Sequence, residues 1–363
     1  MPESAKYLLV GSTEAYSGKS ATLLGLAHHL KAKGLDIAYG KPLGTIWSRP
    51  PGEIVEEDVQ FVTETLKLPS NRLQPTILPM TDITIQKRIR GEDQTDYCQL
   101  LSQYLQLQGP DLVLLEGPSN LEEGSLFDLS LTQIAEIVDA KVLLVARFHS
   151  LLIVGALLSA KRRLGDRLIG AFINDIPQDR LEEVKTTVKP YLEQHDVPIL
   201  GLMPRSALLR SATVEDLVEQ LNAEVLCRAD RLDLMVESLS IGAMNVNSAL
   251  KYFRKGHNMA VVTGGDRTDI QLAALETSTQ CLILTGQVRP HPDVISRAED
   301  LEIPILSVDL DTLTTVEIVD QAIGQVRIHE PRKLQFLYQI MAESFDFEAL
   351  MTAMGLEIPV SAQ

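Results

Sequence analysis

The sequence predicts an α/β fold: a P-loop NTPase-type, mostly parallel sheet with helices on both faces, followed by a smaller α/β unit. Three observations carry this. Runs such as Tyr7–Gly11 (YLLVG), Asp111–Glu116 (DLVLLE) and Ala140–Ala146 (AKVLLVA) are strand-length and hold continuous apolar stretches of four or five residues. Strands of that kind are buried on both faces, as in parallel sheets. Helix-period stretches separate them, and 363 residues leave room for two cores of ordinary size.

Taken in order, the first strand runs into a turn and a helix over about residues 18–33. A second strand follows at Asp36–Tyr39. Asp111–Glu116, Ala140–Ala146, Leu168–Ile173 and Val197–Leu202 supply the rest of the first sheet. This domain is placed at residues 1–225. In the second, at residues 226–330, Met259–Thr263, Cys281–Thr285 and Ile305–Val308 read as strands, with helices at Ile270–Ala274 and Pro292–Glu299. The tail, residues 331–363, spaces Leu334, Leu337, Met341 and Phe345 as a docking or interface helix does.

Composition narrows the function classes. The net charge is −16, which opposes binding to nucleic acid and to anionic membrane surfaces. Cys98, Cys227 and Cys281 are far apart and form no CxxC, so neither a disulfide framework nor a zinc site is expected. Few cysteines and too short an N-terminal apolar stretch for a signal peptide point to the cytoplasm. Leu151–Leu158 is too short to span a bilayer. It reads as a buried helix ending in the solvated Lys161, Arg162 and Arg163; a membrane-surface helix is the alternative.

Ser12–Ser20 carries the most chemistry. A strand, a loop with Gly18-Lys19-Ser20 and a helix provide the setting of a phosphate cradle. Gly18 lets the backbone approach phosphates, Lys19 reaches the β- and γ-phosphates, and the Ser20 hydroxyl is a ligand for Mg²⁺. Thr13, Glu14, Ser17 and Ala21 complete the expected nucleotide contacts. The spacing is unusual, because Gly11 stands seven positions before Gly18 where the common motif has five. Glu116, at the end of its strand, points into the crevice where α/β proteins bind ligands. Asp58 is the second expected metal carboxylate, with Glu56 and Glu57 competing for the role.

These residues resemble the dethiobiotin synthetase family and its relatives, the cobyrinate amidating enzymes. The matches run in order over about 200 residues: Gly18-Lys19-Ser20, Lys41-Pro42, Asp58, Glu116-Gly117, Asn174 after GAFI, and Gly201-Leu202-Met203-Pro204. The resemblance implies ATP and Mg²⁺ as cofactors. It gives phosphate to Lys19, the metal to Ser20, Asp58 and Glu116, and adenine to Asn174 beside Pro204. Lys41 matches the lysine that serves carboxylate or carbamate chemistry; a plain charge near the phosphates is the alternative, as a turn is for Asn174. Tyr16 and Ser12 replace a Glu and a Gly of the family loop, which counts against biotin-pathway activity. No cysteine sits as a glutaminase nucleophile, which counts against glutamine-driven amidation.

In the second domain, Gly264-Gly265-Asp266-Arg267 lies between a strand and a helix. Two glycines allow an anion nest, Arg267 can clamp a phosphate or carboxylate, and Asp266 can cap the helix. The alternative is that Asp266 and Arg267 fix the loop or an interface. The stretch resembles the DRTGG domain, with the glycines ahead of the Asp-Arg. Together the two domains resemble the N-terminal region of long bacterial phosphotransacetylases. That implies a regulatory, nucleotide-sensing protein with a small-molecule effector, a homo-oligomeric assembly and an acetate-metabolism enzyme as partner. No acetyl transfer is expected of the chain itself, since it stops at Gln363. The other reading is an ATP-dependent carboxylate or carbamate ligase.

Overall fold

A computed structural model describes residues 6–45, 47–48, 55–107, 109–325 and 330–357. The chain forms two compact units. One holds the residues before Ser206 together with the C-terminal helices; the other lies between. The division precedes the sequence-read boundary at residue 225, because Ala212, Val214, Leu217 and Leu221 bury in the second core.

The first unit is built on β1 (Lys6–Ser12), β2 (Ile37–Gly40), β3 (Leu73–Gln74), β4 (Leu112–Glu116), β5 (Lys141–Arg147), β6 (Leu168–Ile176) and β7 (Ile199–Pro204). They align in the order β7-β6-β5-β1-β4-β2-β3, with every pairing parallel. Strand β3 was not legible beforehand: two residues carry no periodic signal. The central strands are apolar on both faces because both are covered, and Leu8, Leu9, Val10 and Leu112–Leu115 are all fully buried. Helix α1 (Lys19–Ala32) covers one face, burying Leu23, Leu24, Leu26 and Leu30. Helix α2 (Glu57–Leu66) packs against α1. The opposite core includes Leu9, Leu115, Leu144 and Ile173 under α3 (Leu131–Ile137) and α4 (Ile153–Leu164). In α4, Ile153, Leu157, Ala160 and Leu164 are buried and the basic end is solvated, while Leu152, just before it, is 84% exposed.

The register brings the C-terminal ends of β1, β4, β5 and β6 to one edge. Val10 pairs with Glu116, Ser12 with Val145, and Asn174 with Arg147. Loops leaving this edge carry the chemistry of the first unit described below.

The second unit contains α5 (Val214–Leu221), β8 (Glu224–Cys227), β9 (Ser238–Ile241), α6 (Val246–Phe253), β10 (Met259–Gly264), α7 (Thr268–Leu275), β11 (Thr279–Thr285), α8 (Pro292–Asp300), β12 (Ile305–Ser307) and α9 (Thr312–Gln325). The order is β8-β12-β11-β10-β9, parallel except for β8 on β12. Alternation splits its core in two. Ala260, Val262 and Ile283 face α5 and α9, whereas Val261, Leu282 and Leu284 face α6, α7 and α8.

The tail forms α10 (Pro331–Ser344) and α11 (Phe347–Met354), which pack on the first unit. Met341 closes over Gly25 of α1, where a Cβ would stand 2.8 Å from the Met341 Cγ. The His28 ring stacks on Tyr338 at 3.7 Å between centroids, and His29 Nε2 lies 2.8 Å from the Tyr338 carbonyl. Among the described residues no helix is long and apolar enough to cross a membrane.

Candidate functional site

The loop between β1 and α1 is shaped by its own sequence. Gly18 sits in the left-handed region at φ 92°, where an L side chain is strained. A Cβ there would also overlap the Asn174 amide nitrogen. That amide donates to the Ser17 carbonyl at 2.8 Å, tying the end of β6 to the loop. Ser17 itself is buried, and its Oγ has no hydrogen-bond partner among the described residues. Helix α1 starts at Lys19 with no acidic residue in its first turn and no side-chain cap. Its amide dipoles therefore face the crevice unopposed, as an anion requires.

Lys19 and Ser20 both turn toward Glu116. The Ser20 hydroxyl donates to Glu116 Oε1 at 2.7 Å, and Lys19 Nζ lies 3.4 Å from the same oxygen while donating to the Gly117 carbonyl at 2.6 Å. Tyr39 OH donates to Glu116 Oε2 at 3.0 Å. Burial pushes the Glu116 carboxyl upward, but the ammonium groups of Lys19 and Lys41 and the Ser20 and Tyr39 hydroxyls outweigh it and hold it at about 2. The same burial, with the Glu116 carboxylate beside it, drives the Tyr39 phenol well above its usual range.

Lys41 does not stand open in the crevice as a substrate-facing lysine would. It is 3% exposed, and its ammonium bridges Glu56 and Asp58 at the start of α2. Glu56 is the N-cap of that helix: its Oε2 accepts from Val59 N at 2.9 Å, leaving Oε1 for Lys41. A short pairing of Trp47–Ser48 with Val55–Glu56 delivers it there. Burial works against the charge on Lys41, yet Glu116, Asp58 and Glu56 together raise its affinity for the proton. The sequence alone offers Glu56 only as a rival to Asp58; the structure brings both onto Lys41.

The donor set fits a hard divalent cation held together with phosphate. It offers a hydroxyl and carboxylate oxygens, the ligands Mg²⁺ prefers. Among the described residues no three acidic, histidine or cysteine side chains are grouped to hold a metal unaided.

The remaining expected residues lie on the first loop, the first turn of α1 and the end of β7. Thr13 and Glu14 line a groove of about 510 Å³ with Asn120, Glu122, Ser159 and Arg163. Glu14 Oε1 lies 3.0 Å from His149 Nε2. Ala21 occupies the first turn of α1, and Pro204 ends β7, paired with Ile176. Beside Asn174, Asp175 takes Arg147 at 2.8 Å and Arg205 at 2.9 Å. Nothing in the spacing of these three residues announced that cluster.

In the second unit, Gly265 is needed for close approach, since a Cβ there would overlap the Val288 carbonyl. Two of the loop's N–H groups are used internally: Gly265 N donates to Thr285 O at 3.0 Å and Arg267 N to Gly264 O at 3.1 Å. Arg267 donates to the Met244 carbonyl at 2.9 Å and lies 3.3 Å from Asp269. Asp266 does not cap the following helix, contrary to the expectation from the sequence; Arg267, one residue closer to α7, holds the N-cap position, and its side chain makes no capping hydrogen bond. Beneath the loop, Gln271 is fully buried and donates to the carbonyls of Gly264 and Gly265.

A Gly-Lys-Ser loop between strand and helix, at the carboxyl edge of a parallel sheet, defines a P-loop protein, a class built to hold nucleotides. Residues 6–213 match a family model described as an AAA domain, and residues 216–322 match one described as a DRTGG domain. The first match takes in more than half of the chain, which belongs to that family of P-loop AAA domains. Relatives named phosphate acetyltransferase match most of it. That of Synechocystis sp. is 28% identical over 316 residues, 81% of this chain and 44% of the relative. That of Nitratidesulfovibrio vulgaris is 24% identical over 363 residues, 94% of this chain and 51% of the relative. The chain thus spans about half the length of these relatives, consistent with their N-terminal region. A Methanocaldococcus jannaschii protein named probable cobyric acid synthase is 25% identical over 226 residues, 55% of this chain and 46% of the relative.

Proposed function

We propose that the first unit binds ATP with Mg²⁺ and that the protein works as a nucleotide-sensing regulator. The observation that carries the binding is the convergence of Lys19 and Ser20 on Glu116 at the uncapped start of α1. Lys19 would swing from Gly117 to the β- and γ-phosphates. Ser20, Glu116 and Asp58 would hold the metal, and Asn174 with Pro204 would border the adenine. The unpartnered Ser17 hydroxyl supports the reading, because a buried polar atom without a partner is costly unless a ligand completes it.

The regulatory role is supported by Lys41. The residue that would serve a substrate is closed in by Glu56 and Asp58. The matching relatives are named as acetyltransferases, so an enzyme of acetyl-phosphate metabolism is the proposed partner, with a small-molecule effector at the loop of Gly264–Arg267 and a homo-oligomeric assembly. A second reading, an ATP-dependent ligase, is favoured by the groove of about 510 Å³ beside Thr13 and Glu14, which has room for a small substrate.

A phosphate-release assay separates the two. The regulatory reading expects ATP with Mg²⁺ to give the same slow release whether or not carboxylates, amines or carbamates are added. Stimulation of about tenfold or more by any of them, on the scale that positioning a reactant allows, establishes the ligase instead.

A further inference from the structure

We infer that Lys41 is a built-in counter-ion that keeps the metal site closed to divalent cations until a nucleotide arrives. The inference rests on the Mg²⁺ reading of the first site and adds the order in which its charges are exchanged.

Three carboxylates are paired with two ammonium groups: Glu56 and Asp58 with Lys41, and Glu116 with Lys19. Glu116 also acts on Lys41 through its charge. Among the described residues, the two ammonium groups paired with these three negative charges leave a single negative charge in excess. A divalent cation entering that arrangement would reverse its sign while losing strongly held water, so it gains little. Lys41 also occupies the space between Glu56 and Asp58, almost wholly buried there.

Nucleotide changes the count. When Lys19 moves to the phosphates, the carboxylates keep only Lys41, and the excess becomes two negative charges, which one divalent cation neutralises. Glu56 is fixed by its cap bond to Val59 N and so holds the ammonium in place through the exchange. It is a positioning residue, placed to act through Lys41. The same excess of two charges arises without nucleotide if Lys41 loses its charge. Lys41→Met should therefore mimic the nucleotide-bound state toward the cation.

The test is titration calorimetry of MgCl₂ and MnCl₂ alone into purified protein, with thermal unfolding as a second readout and circular dichroism as the check on folding. Wild type is expected to show no saturable cation binding at millimolar concentration and no shift in Tm. K41M is expected to bind at least about tenfold more tightly and to gain Tm with the cation; K41R, which restores the charge, returns to the wild-type result. Saturable binding by nucleotide-free wild type overturns the inference, as does a folded K41M that binds no better than wild type. If K41M does not fold, Glu56→Gln serves: removing one carboxylate should weaken Mg²⁺ binding to the ATP-bound protein several-fold, and an unchanged affinity overturns the inference. ATP binding by wild type with and without Mg²⁺ is run alongside. Equal binding there removes the metal reading itself, whereas metal-dependent ATP binding with a silent K41M removes only the gate.

Discussion

Gly18 shows how a single hydrogen atom in place of a methyl group decides the site. Its left-handed backbone and its contact with the Asn174 amide leave no room for a side chain. Gly18→Ala should cost about 1–3 kcal/mol in strain at this position and displace Asn174 from Ser17. The expected result is a fall in nucleotide affinity of tenfold or more with a smaller loss of Tm; unchanged affinity in a thermal-shift titration would show that the loop does not need this geometry. Glu116 gives the site a pH signature. Its folded carboxyl titrates at about 2, below its ordinary value of 4.5. A depressed carboxyl stabilises the fold fully above its unfolded value and loses that contribution as pH falls through the folded value. The stability advantage of wild type over Glu116→Gln should therefore be steady near neutrality and shrink between about pH 4.5 and pH 2. Urea unfolding across that range checks it, and a gap that stays constant contradicts the assignment.

At the scale of elements, α10 is the piece that fixes α1 from behind. The tail's spacing of Leu337 and Met341 was legible as a helix with an apolar stripe, and both side chains are buried. Periodicity marked which face would be covered but not by what, since pairing with α1 depends on Gly25 being small enough to admit Met341. Met341→Ala leaves a cavity against that helix and should cost about 2–4 kcal/mol of stability. Denaturant unfolding measures this, and a loss below about 1 kcal/mol would mean that α10 is not held by this contact.

Over the whole molecule, the readable parts were those written in local sequence. Buried parallel strands advertise themselves as apolar runs, and Gly18-Lys19-Ser20 and Glu116 sit at strand ends where chain order alone places them. What was not legible depends on distant partners. Glu56 was legible only as a rival metal carboxylate, while its part as helix cap and Lys41 partner depends on the fold, and the Asp175 cluster joins residues about thirty positions apart on either side. The edge strand β8 was missed because half-buried strands of four residues resemble loops in composition.

Calorimetric titration of ATP, with Mg²⁺ and with the metal chelated, into wild type and Lys19→Ala is the most direct check on the site. The expected result is one saturable event in wild type that weakens about tenfold or more without the metal and vanishes in the variant. Equal binding with and without Mg²⁺, or no heat at all with either, would contradict the site described here.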